Sequence, residues 1–359
     1  MDSIPWTEKY RPTRLDQVAD HSVLVKYLGE CLRTGQLNHL LLYGQAGAGK
    51  SSVAGALACE LFGIRNITYG IHSNRLLELN ASKDRGIDVV RTKIKDFVVK
   101  KPISENNENK SNKSNKSIFT GKLIILDEAD SMTKDSQNSL RRYMETYSDT
   151  TKFIFICNYV GKIIPAILSR CVQFRFQSLT FDNCKQKLQH IAERESVEIK
   201  DGALWNLIKF GQGDLRKCIT SLQTAKAIAT QKVKSNKHEL EDDLEQKTEK
   251  EEVLITETEI DLIFQTIPKG DVQNIVKIIH QPFFEPLIQL SQHYIDSGYS
   301  IQDIFKQYLP LIFTDEKLTD AVRSKFIMRI AETDTNLCLG NDEYLECLST
   351  LSYLFQLVH

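Results

Sequence analysis

The segment Gly44-Gln45-Ala46-Gly47-Ala48-Gly49-Lys50-Ser51 limits the fold of this chain more than any other. It carries the full G-x-x-x-x-G-K-[ST] spacing, which works in one local setting, with a buried strand before it and a helix after it. The sequence supplies both. Leu40-Leu41-Leu42-Tyr43 is a short apolar run of strand type, and residues 51–61 are rich in Ala and Leu at helical spacing. Glycines let backbone N–H groups turn inward around phosphate oxygens, Lys50 brings a point charge to the terminal phosphates, and the Ser51 hydroxyl suits Mg²⁺. The whole stretch from Gly44 through Gln45, Ala46, Gly47, Ala48, Gly49, Lys50 and Ser51 to Ser52 is therefore expected to hold ATP.

Further apolar runs at Leu76–Leu79, Leu123–Leu126 and Phe153–Cys157 alternate with helix-like stretches at Val89–Val99 and Gln137–Thr146. That alternation predicts an α/β domain over 1–176, a parallel sheet flanked by helices. After Phe176 the pattern turns helical, with Asn183–Glu195 and Ala203–Phe210, which predicts a small helical domain over 177–266. From Pro268 onward, series such as Val272-Ile275-Val276-Ile279 and Tyr344-Leu348-Leu351-Leu354 have helix spacing, so 267–359 reads as an all-helical third domain. Single cores stop growing at about 250–300 residues, and a chain of 359 fits several. Two polar stretches interrupt the plan. Residues 100–116, rich in Asn, Lys and Ser, read as a solvated loop, and the charge-dense Lys232–Glu252 reads as mobile.

Leu123-Ile124-Ile125-Leu126-Asp127-Glu128-Ala129-Asp130 places carboxylates at the carboxyl end of a buried strand, where α/β sheets bind ligands. Asp127 is expected to hold Mg²⁺ through water, and Glu128 to polarise an attacking water as general base. Paired with the phosphate loop, these acids point to hydrolysis rather than binding alone.

Hydrophobic residues at 41% and charged residues at 26% are ordinary for a globular protein, and no apolar run reaches the roughly 18 residues of a membrane span. No membrane partner is expected. A net charge of -1 argues against a uniformly basic nucleic-acid coat but leaves room for a local basic face. The eight cysteines are scattered without CxxC or zinc-ligand spacing and read as reduced, mostly buried thiols. The start of the chain has no signal-peptide character, which suits the cytosol or nucleus.

Trp6-Thr7-Glu8-Lys9-Tyr10-Arg11-Pro12, the phosphate loop, Leu79-Asn80-Ala81-Ser82-Lys83-Asp84-Arg85-Gly86 and Asp127-Glu128-Ala129-Asp130 follow one another in a recognisable order. In this the chain resembles the small subunits of eukaryotic replication factor C, an AAA+ clamp loader. The resemblance continues through Cys157-Asn158-Tyr159, Lys162-Ile163-Ile164-Pro165, Ser169-Arg170-Cys171 and Gly213-Asp214-Leu215-Arg216. The Lys162 to Ala166 run is most similar to the small subunit at the third position of the five-subunit arc.

The resemblance implies an AAA+ domain, a helical lid and a helical collar for oligomerisation, in an ATP hydrolase that uses ATP and Mg²⁺. It implies a hetero-pentamer with other replication factor C subunits, a ring-shaped sliding clamp of the PCNA type, primer–template DNA, and the nucleus. Asn158 would position water against the γ-phosphate, Arg216 would reach back from the lid to the nucleotide, and Arg11 and Val18 would line the adenine end. Arg170 would act in trans, as an arginine finger in a neighbour's site. Lys83, Arg85 and Arg91, followed by Lys95, and Lys134 with Arg141 start or lie on helices that could track the DNA backbone, whereas Arg142 reads as structural. Residues 64–75 are a candidate clamp contact by position.

Small subunits more often carry two prolines and a threonine where this chain has Gln45, Ala46 and Ala48, so its loop is expected to be less stiff. Lys83 stands where the family often has an acid. Two alternatives remain open from the sequence: a scaffold subunit that binds ATP without turning it over, and a homo-hexameric AAA+ DNA remodeler.

Overall fold

The computed structural model describes residues 4–18, 20–64, 70–83, 87–100, 119–238, 253–267, 277–278, 281–315 and 318–359. They divide into two compact units, one made of Met1–Ile199, Leu207–Gln223 and Thr248–Val253, the other of Lys200–Asn206, Thr224–Lys247 and Leu254–His359.

The first unit is built on a six-stranded sheet of β1 (Leu40–Gly44), β2 (Gly70–Ser73), β3 (Leu76–Asn80), β4 (Lys122–Asp127), β5 (Thr151–Cys157) and β6 (Val172–Phe176). Its order is β2-β3-β4-β5-β1-β6. All neighbours are parallel except the β2/β3 hairpin. The central strands read as continuous apolar runs because both their faces are covered. Leu40, Leu42, Leu123, Ile125, Ile154 and Ile156 join one core cluster, which takes in Val53, Leu57 and Leu61 of the helix after the phosphate loop. Leu41, Ile124, Leu126, Phe153 and Phe155 join another, with Ile94, Phe97, Leu140 and Met144. Successive strand residues point to opposite faces, so a single run feeds both layers.

The helices of this unit are α1 (Trp6–Lys9), α2 (Ser22–Thr34), α3 (Lys50–Phe62), α4 (Ile87–Val99), α5 (Lys134–Thr146), α6 (Pro165–Leu168) and α7 (Phe181–Arg194). Helix α3 is buried almost all round, and its small residues Ala54, Ala56 and Ala58 let it lie close in the core. Lys122, at the start of β4, is buried and donates to the carbonyl of Phe97 in the last turn of α4 at 2.5 Å. A cation there meets carbonyls that the helix itself leaves without partners.

His39 enters β1 as a buried neutral imidazole whose Nδ1 accepts the Phe153 N–H at 3.1 Å. Burial, aided by the charge of Lys152, pushes its pKa down to about 4. The unfolded chain takes up a proton below its ordinary value of about 6.5 that the folded chain refuses, so stability is complete above that pH and falls as pH drops toward 4. His39→Gln should remove about 2 kcal/mol of the stability lost between pH 7 and pH 5. Thermal melts of both proteins at the two pH values check this, and parallel losses would exclude His39 as the cause.

Two further helices, α8 (Asp201–Gly211) and α9 (Leu215–His238), follow. Helix α9 runs past Lys232, where the sequence predicts a mobile stretch. Lys232 itself makes a 2.7 Å ion pair with Glu259 on α10 (Glu257–Phe264). Residues 239–252 and the 101–118 part of the other polar stretch lie outside the described residues.

In the second unit α11 (Glu285–Asp296), α12 (Ile301–Thr314), α13 (Asp320–Cys338) and α14 (Glu343–Val358) enclose a core that includes Leu287, Tyr294, Phe305, Tyr308, Phe326, Leu351 and Leu354. Inside it the Tyr308 hydroxyl donates to that of Tyr294 at 2.8 Å. The helical series at 344–354 falls on α14, whereas that at 272–279 lies almost wholly outside the described residues. All eight cysteines are free thiols, and six are buried. No helix among the described residues is long and apolar enough to cross a membrane.

Candidate nucleotide site

The phosphate loop leaves β1 at Gly44 and enters α3 at Lys50. Gly44 has φ +140°, and a Cβ there would lie 2.0 Å from the carbonyl oxygen of Phe176. At Gly47, φ +71°, a Cβ would lie 1.8 Å from the Asp214 carboxylate. Neither place admits a side chain, so the two glycines are required by close approach as well as by conformation.

Lys50 is buried, and its ammonium donates to Gly44 O at 2.8 Å, Gln45 O at 2.7 Å and Asn158 Oδ1 at 2.9 Å. Burial lowers its pKa, and Asp127 opposes that shift. A cation short of solvent is poised to gain from an arriving polyanion. Ser51 Oγ donates to Asp127 Oδ2 at 2.9 Å, which brings the two expected Mg²⁺ ligands together.

Asn80 at the end of β3 is in register with Asp127 at the end of β4. Its Nδ2 donates to Glu128 Oε1 at 3.2 Å. Glu128 is exposed and adopts a left-handed backbone, φ +52°. Hydrogen bonds from Ser82 and Asn80 hold its pKa below the usual carboxylate range. The carboxylate stays ionised, as a general base must, at some loss of basicity. Asp130, to which the sequence reading gives no role, accepts from the backbone N–H groups of Asn158 at 3.3 Å and Tyr159 at 3.2 Å. It fixes the loop that presents Asn158 to Lys50.

Beside the loop lies a cavity of about 570 Å³, a size typical of small-molecule sites. Of the expected ligand residues, Arg11, Val18, Gly47, Ala48, Gly49, Lys50, Ser51, Ser52 and Arg216 line it. Gly44, Gln45, Ala46 and Asn158 are not among its lining residues. Arg11 reaches the Ser51 carbonyl with Nη2 at 3.3 Å. The sequence reading misses Lys187, His190, Ile191 and Arg194, one face of α7 that lines the same cavity, together with Leu179 and Ile219. Their helical spacing marks them as one face but says nothing of what that face meets. Lys187 donates to Gln17 O at 2.5 Å, and burial lowers its pKa. The N-terminal segment is tied to the same helices. Lys9 pairs with Glu195, Tyr10 OH donates to Glu195 at 2.6 Å, and Trp6 N donates to Gln223 at 3.0 Å.

Arg170, between α6 and β6, is not among the lining residues. Its Nη2 donates to Glu145 Oε1 at 2.6 Å and its Nη1 to Ala166 O at 2.6 Å, while Arg141 Nε shares the same Glu145 oxygen at 2.9 Å. Buried Gln137 of α5 bonds Met132 O, Lys162 O and the Ile164 N–H, and so joins α5 to the segment that leads to Arg170. Among the residues expected to face DNA, Lys83, Lys95 and Lys134 are exposed, and Arg141 is exposed but ion-paired. Arg142 is exposed on α5. Arg85 and the Arg91 side chain lie outside the described residues, as do 65–69 of the candidate clamp contact. Arg75 at the end of that contact is turned inward onto the carbonyls of Phe119 and Gly121.

The profile of the DNA polymerase III delta subunit matches residues 20–180, and that of the replication factor C C-terminal domain matches residues 267–353. Replication factor C subunit 2 of Oryza sativa is 36% identical over 98% of this chain and 94% of its own length. Replication factor C subunit 4 of Arabidopsis thaliana is 37% identical over 98% of this chain and 94% of its own length. Relatives with different subunit numbers match about equally, so identity does not distinguish positions within a complex. Among solved structures, a point mutant of Thermotoga maritima RuvB is similar in fold, with a TM-score of 0.51, 17% identity, and 84% of this chain and 91% of that chain covered. With near-complete coverage at more than a third identity, and with the phosphate loop and its acids assembled as described, the chain belongs to the replication factor C subunit family of AAA+ proteins.

Proposed function

We propose that the chain is an ATP-hydrolysing subunit of a replication factor C-type clamp loader, which opens a PCNA-type ring and closes it on primer–template DNA in the nucleus. The observation that carries the reading is the joining of Lys50 to Asn158, of Ser51 to Asp127, and of Asn80 to Glu128 around one loop. That set goes beyond what ATP binding alone requires. Lys50 and the loop N–H groups hold the β- and γ-phosphates, Asn158 orients water against the γ-phosphate, and Glu128 takes its proton. Ser51 and Asp127 suit Mg²⁺, since their oxygens are brought together at 2.9 Å, the Ser51 hydroxyl as a ligand and the Asp127 carboxylate holding the ion through water. When bound, Mg²⁺ neutralises charge on the phosphate oxygens. Arg216 lines the cavity from the start of α9 and ties closure of the helical segment to the triphosphate.

In this reading 1–176 is the AAA+ domain, 177–266 the lid and 267–359 the collar that joins the chain to the other subunits of a hetero-pentamer. Arg170 completes a neighbour's site. Lys83 and Lys134, with Arg85, Arg91 and Arg141, meet DNA phosphates in a way that positions without reading sequence.

The test is to purify the tagged chain with its bound companions, identify them by mass spectrometry, and follow single-turnover ATP hydrolysis at this site with Glu128→Gln as the comparison. Mixed companions and a loss of roughly 10²–10⁴ in the variant are expected. A complex that hydrolyses ATP elsewhere but is silent here would favour the scaffold alternative, and a ring of identical chains the DNA remodeler.

A further inference from the structure

Gln45 is the second residue of the phosphate loop, and its side chain has a partner outside that loop. Its Oε1 accepts the hydroxyl hydrogen of Ser178. Its own carbonyl meanwhile accepts from Lys50 at 2.7 Å. Gln45 is therefore held through its main chain by the cation that meets the terminal phosphates, and through its side chain by a residue two positions past β6 and three before α7.

Ser178 touches a second element. The space a Cβ would fill at Gly213, φ +78°, lies 2.9 Å from Ser178 Cβ. Gly213 precedes Asp214, whose Oδ1 accepts the Arg216 N–H at 2.9 Å and the Lys217 N–H at 3.2 Å and so caps α9. The same carboxylate lies against Gly47. A closed circuit runs from Lys50 through Gln45, Ser178 and the Gly213-Asp214 turn to Arg216, and back to the loop at Gly47.

We propose that Gln45 is a positioning residue that couples the phosphate loop to the seat of Arg216 through its hydrogen bond to Ser178. The proline-free loop is then fixed from outside by a side-chain tie rather than from within by a ring, and the tie reaches the residue that senses the triphosphate. This inference rests on the ATP-binding reading above.

The test is a double-mutant cycle on the full-length chain in the complex with which it purifies, using titration with a fluorescent ATP analogue. Gln45→Ala and Ser178→Ala are each expected to weaken binding roughly 3- to 10-fold, and the pair together no more than either alone. Arg216→Ala should cost less affinity in the Gln45→Ala background than in the wild type, which a purely structural role for Gln45 would not produce. Both tie residues are exposed, so melts of the nucleotide-free variants should match wild type. Losses that multiply in the double variant, or an Arg216→Ala effect that is the same in both backgrounds, overturn the inference while leaving ATP binding in place. Wild-type protein that fails to bind the analogue overturns both.

Discussion

Lys50→Ala is expected to abolish nucleotide binding by this chain and to lower hydrolysis at its site by at least 10²–10³, on the order of what loss of one preorganised transition-state donor costs elsewhere. The effect should be large because the ammonium is buried and its position is fixed by three acceptors, Gly44 O, Gln45 O and Asn158 Oδ1. Removing it takes away the point charge for the phosphates. It also frees Asn158 from its only side-chain tie to the loop among the hydrogen bonds described. Titration with a fluorescent ATP analogue and single-turnover hydrolysis measure the two losses separately. Unchanged binding would remove Lys50 from the phosphate site.

Arg170→Ala in the assembled complex is expected to leave this chain's own ATP affinity intact while hydrolysis at the adjoining subunit's site falls by roughly 10³–10⁵, the range for loss of an arginine finger. The side chain is more than a third exposed and lies outside the cavity of its own chain. Its pair with Glu145 is a surface one, with both groups nearly equally exposed, and such pairs hold weakly in water. A desolvated phosphate in a neighbouring site can therefore draw Arg170 away, and Arg141 remains to accompany Glu145. Equal ATPase rates for the variant and wild-type complexes would refute the shared site.

The strands that sequence marks most clearly are those buried on both faces, β1, β3, β4 and β5, because continuous burial leaves an unbroken apolar run. A search for unbroken apolar runs passes over β6, because at the sheet edge Val172-Gln173-Phe174-Arg175-Phe176 alternates apolar with exposed polar residues and only Phe176 is fully buried. It passes over β2 because four residues of Gly-Ile-His-Ser carry no period. The extent of α9 escapes it for a different reason. Charge density at 232 reads as solvation, whereas Glu259, 27 positions away, supplies Lys232 with an ion-pair partner.

The same division holds at the site. The chemistry of Gly44 to Ser51 and of Asp127-Glu128 is local, since a loop's glycines, cation and hydroxyl, and an acid at a strand end, act through spacing the chain carries by itself. Resemblance adds the identity of Asn158, Arg170 and Arg216 but not their partners. Only the tertiary structure decides those, because the sheet order seats β1 between β5 and β6. It thereby brings Asn158 to Lys50 across 108 positions and Ser178 to Gln45 across 133. Sequence by itself pointed to a phosphate-binding loop at Gly44 to Ser51 with acids at a strand end close by. The fold decided that the grip is braced from Asp130, Ser178 and Asp214, since such contacts depend on which strand lies next to which, and no local period records that.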